Sequence, residues 1–189
     1  MASTINIDSF KNISQRGCMA YGIMCAENYI LAHRENEDWR PIFSILWPFT
    51  SEQMWEEWRL KVIDILPECF LEFPDYNSSD FSVLQREEYE AISLLYKKMP
   101  EKWEQIIEAL FEMENYYAYG ALSDEGIECS KSLMEIVNIL SEENIELPDI
   151  KQVEFSSFNE ESGRGKPFDG SVFSKILSSA GNTNDKAQK

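Results

Sequence analysis

The chain has 189 residues, 43% of them hydrophobic, which suits one domain with a small C-terminal appendage. Its 34 acids against 17 Lys and Arg give a formal charge of −17, a field that repels nucleic acid and anionic lipid and speeds encounter with basic molecules. Eleven Phe, eight Tyr and five Trp supply ample core material and argue against disorder ahead of the tail.

Apolar positions recur with helical spacing almost throughout, and no segment alternates with period two. The first predicted helix spans Ser14–His33 and is apolar nearly all round, the pattern of a central buried helix, with Gly17 and Gly22 allowing close approach. A polar hinge, His33–Asp38, leads to a shorter helix with Asp38 as its cap, Pro41 in its first turn and Pro48 at its end. Thr50-x-x-Gln53 reads as a capping box. It opens a third helix to about Leu66, with Met54, Trp55, Trp58, Val62 and Ile65 inward. Pro67 starts a short fourth helix through Phe73, and Pro74–Ser82 has loop composition.

Ser82-x-x-Gln85 reads as a second capping box, for a helix to Lys98 with Tyr89, Ile92, Leu95 and Tyr96 on its core side. Pro100 starts the next helix, whose apolar face carries Trp103, Ile106, Ile107, Leu110 and Phe111. Gly120 closes it, and Ser123 or Asp124 caps a helix through Leu140. After Pro148 the pattern breaks into short pieces, with Gly163, Gly165 and Gly170 in a loop and a last helix near Ser171–Leu177. The expectation is an all-α domain over residues 1–177, an antiparallel bundle or array of about six or seven helices with a short irregular C-terminal segment. Residues 178–189 have the composition of a disordered tail.

The acidity is uneven. Residues 51–80 hold eight acids against two bases, and 84–146 hold fifteen against five, whereas 163–189 hold five bases against two acids. Within the acidic middle, Glu101, Glu104, Glu108 and Glu112 are spaced by 3, 4 and 4, which places them on one helical face as an unneutralised stripe. Three like-charged neighbour pairs oppose the fold by roughly 1 kcal/mol at low salt. Other runs avoid this: Lys131 sits between Glu128 and Glu135, and Glu57 has Lys61 four residues on. The stripe is the candidate surface for a cationic partner, opposite which aromatic rings from the Trp39–Trp47–Trp55–Trp58 and Tyr116–Tyr117–Tyr119 clusters serve as anchors where they are not core.

Glu27 is the only charged side chain between Gly17 and Ala32, and Glu114 falls beside Trp103 and Ile107 on an apolar face. Such an acid should find an Arg, a backbone N–H or a water; two buried acids suit a general acid/base pair, but structural salt bridges to Arg34, Arg40 or Arg59 are the commoner outcome. The remaining motifs are weaker. Asp75-x-Asn77-x-Ser79 resembles half a calcium loop but has Asp80 and Arg86 where Gly and Glu belong. Gly163-Arg164-Gly165-Lys166 lacks P-loop spacing and is followed by Pro167, so a surface turn with two solvated bases is expected. His33 is the single histidine, which excludes His-rich metal sites and suits a helix C-terminal cation. Cys18, Cys25, Cys69 and Cys129 form no CxxC pair, so buried reduced thiols are expected. Neither a signal-peptide core nor a membrane span is evident, which favours a cytoplasmic protein with no metal or other cofactor.

Cys25-Ala-Glu-Asn-Tyr-Ile-Leu-Ala-His-Arg-Glu-Asn-Glu-Asp-Trp39, Leu46-Trp-Pro-Phe-Thr50 and Trp58 through Leu66-Pro67-Glu68 resemble immunity proteins of bacterial polymorphic-toxin systems. Phe168-Asp169-Gly170 ahead of a short helix adds to the likeness. The resemblance implies a small cytoplasmic inhibitor that occludes a cognate toxin, often a basic nuclease; it transfers no contact residue. Three readings stand: a non-enzymatic acidic protein that neutralises a basic protein partner, a small helical enzyme using Glu27 and another buried carboxylate, with or without a divalent metal, and a structural or oligomerising helical module.

Overall fold

The computed structural model describes residues 5–51, 55–119 and 127–178. The expectations for Gln53, Met54, Gly120, Ser123, Asp124 and the tail, and for the side chains of Trp55, Tyr116, Tyr117, Tyr119 and Cys129, lie outside what is described. The architecture is all-α: α1 (Gln15–Arg34), α2 (Arg40–Leu46), α3 (Trp55–Ile65), α4 (Pro67–Leu71), α5 (Arg86–Tyr96), α6 (Trp103–Tyr119), α7 (Ile127–Glu142) and α8 (Lys175–Ser178). Among the described residues there is no strand, only an isolated antiparallel bridge between Ile13 and Ser157. Each of the eight described helices has a counterpart in the sequence reading, the short α4 and α8 being pieces of five and four residues.

The apolar circumference of α1 dictates its place. Every residue from Gln15 through Ile30 is buried, with α6 and α7 along its length and the turn Trp47–Thr50 against it. A Cβ on Gly22 would stand 2.8 Å from Leu110 Cδ2 and 3.4 Å from Leu133 Cδ1, so glycine sets how closely α6 and α7 approach. Ser14 caps the helix, its Oγ accepting from the Gly17 N–H at 3.0 Å. Trp39, Trp47, Trp58 and Trp103 fill the surrounding core, Trp39 meeting Trp103 edge to face.

Several boundaries differ from the sequence reading. Pro48 does not end α2: the helix stops at Leu46 and a 3-10 turn, Trp47–Thr50, carries Pro48 in its first positions. Asp38 does accept the Arg40 N–H, at 3.1 Å, although Trp39 is the residue that precedes the helix. Thr50 Oγ1 donates to the Trp47 carbonyl and accepts the Gly170 N–H, each at 2.9 Å, while its expected partner Gln53 lies outside the described residues. The fourth helix ends at Leu71 rather than Phe73. At α5, the predicted box beginning at Ser82 moves three residues on, because the Gln85 N–H is bonded to Glu88 Oε2 at 3.0 Å.

Ser82 is occupied differently. Asp64, 5% exposed near the end of α3, accepts the N–H groups of Ser82, Val83 and Leu84 at 2.9, 2.7 and 2.9 Å. One buried carboxylate thus fastens the loop after α4 back onto α3, and nothing in the local spacing announces it. Asp64→Ala leaves three buried or half-buried donors without a partner and is expected to cost about 2–4 kcal/mol. The check is a lower urea midpoint with an unchanged slope.

Candidate functional site

Burial of Trp103, Ile106, Ile107, Leu110 and Met113 against the core turns the opposite face of α6 outward, with Glu108 and Glu112 exposed and Glu104 half-buried. Glu101 does not belong to that helical face. It lies in the turn before α6, adjoining Lys102, because the Trp103 N–H closes on the Pro100 carbonyl at 3.1 Å and the Lys102 N–H is taken by the Tyr29 hydroxyl at 2.9 Å. The stripe on the helix is therefore three glutamates long, and Glu101 adds negative charge near the helix N-terminus, where the macrodipole favours it.

What α6 lacks, α7 supplies. The two helices flank a groove of about 390 Å³. Glu108 and Glu112 form one wall, Glu135 and Glu142 the other, with Ala109 and Ile139 also among its lining. Glu135 and Glu142 are seven residues apart, two turns of one face, but with Lys131 four residues before Glu135 the spacing alone does not mark this wall as unneutralised. Ser132 Oγ donates to Glu112 Oε2 at 3.2 Å. Among the described residues no Lys or Arg forms an ion pair with Glu101, Glu104, Glu108 or Glu112. Partial burial, followed by the like charges of Glu104, Glu68 and Glu112, holds the Glu108 carboxyl above the ordinary carboxylate range. Glu68 comes from α4, so the negative surface extends past the α6 face.

The two buried acids serve separate neighbourhoods and share no partner. Glu27, 1% exposed, accepts the Trp47 indole N–H at 2.8 Å and the Ser174 hydroxyl at the same oxygen, Oε1. Its Oε2 accepts the Lys175 N–H at 2.6 Å and the Ile176 N–H at 3.4 Å. It is thus the acceptor for the opening turn of α8, without any arginine. Glu114, 0% exposed, pairs through Oε2 with Arg59, one of the three arginines the sequence offered, and that guanidinium also donates to Asn115 and lies over the Phe111 ring. Glu114 Oε1 has no hydrogen-bond partner. Burial raises the Glu114 pKa, opposed by the Arg59 charge. An acid/base pair from these two residues is not assembled.

The weaker motifs resolve into structure. His33 Nε2 lies 2.7 Å from Glu143 Oε2 on α1's last turn. Asn77 Oδ1 accepts the Ser79 N–H in a local turn, and no cluster able to hold a metal ion occurs among the described residues. The Gly163–Lys166 turn uses positive φ at Gly163 and Gly165 and presses Gly165 against Ser14, with Lys166 paired to Glu160 at 3.0 Å rather than merely solvated. Cys18 and Cys25 are buried free thiols, and burial pushes the Cys25 pKa well up; Cys69 is only half-buried, contrary to expectation. Among the described side chains the exposed aromatic ring is Phe155, in the C-terminal segment; those of Tyr116, Tyr117 and Tyr119 lie outside them. No helix of the described residues is long and apolar enough to cross a membrane.

Two predictions follow from this geometry. Glu27→Gln replaces an acceptor facing two backbone N–H groups with a donor, so amide exchange at 175–177 is expected to rise with that at α6 core positions unchanged. For Glu108 the folded pKa is raised, so the folded state binds the extra proton and stability falls as pH climbs through that range. Glu108→Gln is therefore expected to raise stability by a few tenths of a kcal/mol at pH 7, roughly the size of like-charge helix pairs, and to lose the gain near pH 4. Thermal melts at both pH values check this. No protein-family model matches the chain, and neither a curated protein nor a solved structure is detectably similar to it.

Proposed function

We propose that this chain is an acidic, non-enzymatic binding protein of the cytoplasm that neutralises a basic protein, most concretely a toxin domain, by covering it as an immunity protein does. The observation that carries the reading is the groove between α6 and α7, where carboxylates converge from both walls. Keeping Glu108 ionised between Glu104, Glu68 and Glu112 opposes the fold. A cationic partner turns that penalty into attraction, because each Lys or Arg entering the groove meets carboxylates already held in place. Occlusion needs no chemistry from the inhibitor, which accords with Glu27 and Glu114 being engaged in structure.

Steering by such a field acts on the association rate by about 10- to 1000-fold and fades with salt. The first test is whether the reading frame immediately upstream encodes a large secreted protein with a basic C-terminal domain; that domain is then the partner to assay. Co-expression should restore growth to cells making that domain. Changing Glu104, Glu108, Glu112, Glu135 and Glu142 together to Gln should slow association at least about tenfold at low salt, and the deficit should shrink near 0.5 M salt. The five-Gln variant should stay folded and melt close to wild type, the repulsion removed offsetting the charge lost at Ser132–Glu112 and at the α6 N-terminus. Unchanged association by the folded variant would remove the groove from the interface.

A further inference from the structure

We draw no further inference here: the strongest candidate, the cavity of about 140 Å³ between α1 and the C-terminal segment lined by Met24, Glu27, Asn28, Asp149, Phe173 and Lys175, carries nothing, because its buried polar side chains, Glu27 and Asn28, are already bonded to groups of the chain itself and nothing in the structure shows what fills the space.

Discussion

Burying the first sixteen residues of a twenty-residue helix on every side is the constraint from which this fold follows. A helix without a solvent face must have each of its polar side chains answered inside the protein, because an unpaired donor or charge there costs several kcal/mol. α1 carries Ser14, Gln15, Arg16, Glu27 and Asn28 within its buried stretch or at its cap, and among the described residues Gln15 Oε1 is left without a hydrogen-bond partner. Ser14 Oγ lies 2.6 Å from Ser156 Oγ, and Arg16 donates to the carbonyls of Gly165 and Phe49 at 3.3 and 2.6 Å. Glu27 takes the start of α8, and Asn28 bonds the Glu146 carbonyl and the Lys175 ammonium at 2.7 Å each. Most of these answers come from residues 146–175, more than a hundred positions away in sequence.

The C-terminal segment is therefore not an appendage. Its irregularity reflects its task, since backbone carbonyls and N–H groups can meet side chains of α1 only where they are not consumed by a helical ladder. The 3-10 turns at Ile150–Gln152, Glu161–Gly163 and Gly170–Phe173 space those contacts along α1 and the Trp47–Thr50 turn. Phe168 N–H to the Thr50 carbonyl and Gly170 N–H to the Thr50 hydroxyl fasten the same stretch at its middle. Short-range polarity in the core thus selects long-range topology.

This explains which parts of the molecule were legible in the sequence. Helix existence, and the inward faces of α3, α5 and α6, depend on apolar spacing within one segment, and Trp58, Val62, Ile92 and Leu110 are buried as that spacing requires. The cap read at Ser82 gave way where a distant group competed, its N–H going to Asp64 and the box moving to Gln85 and Glu88. The suspicion attached to Glu27 was sound, yet its partners are an indole, a hydroxyl and two backbone N–H groups, which no local pattern ties to it. Half of the acidic groove was visible as the α6 spacing. The α7 half required knowing that these two helices lie side by side.

The same internal demand shapes the surface charge. Cations are scarce in this chain, and the fold engages several of them away from carboxylates. Arg34 donates to the Lys98 and His33 carbonyls, and Lys175 donates to an amide oxygen. Arg59 serves a carboxylate, but the buried one of Glu114, and Lys98 and Lys166 pair with Glu37 and Glu160 far along the sequence from α6. Neutralising α6 and α7 would take further bases on their exposed faces, which tolerate such changes freely because packing does not constrain them. Surface glutamates are easily exchanged for lysine without loss of fold. That Glu104, Glu108, Glu112, Glu135 and Glu142 stand together without a described counter-ion is thus a property the fold permits but does not require, and it is on this that the proposed binding of a basic partner rests.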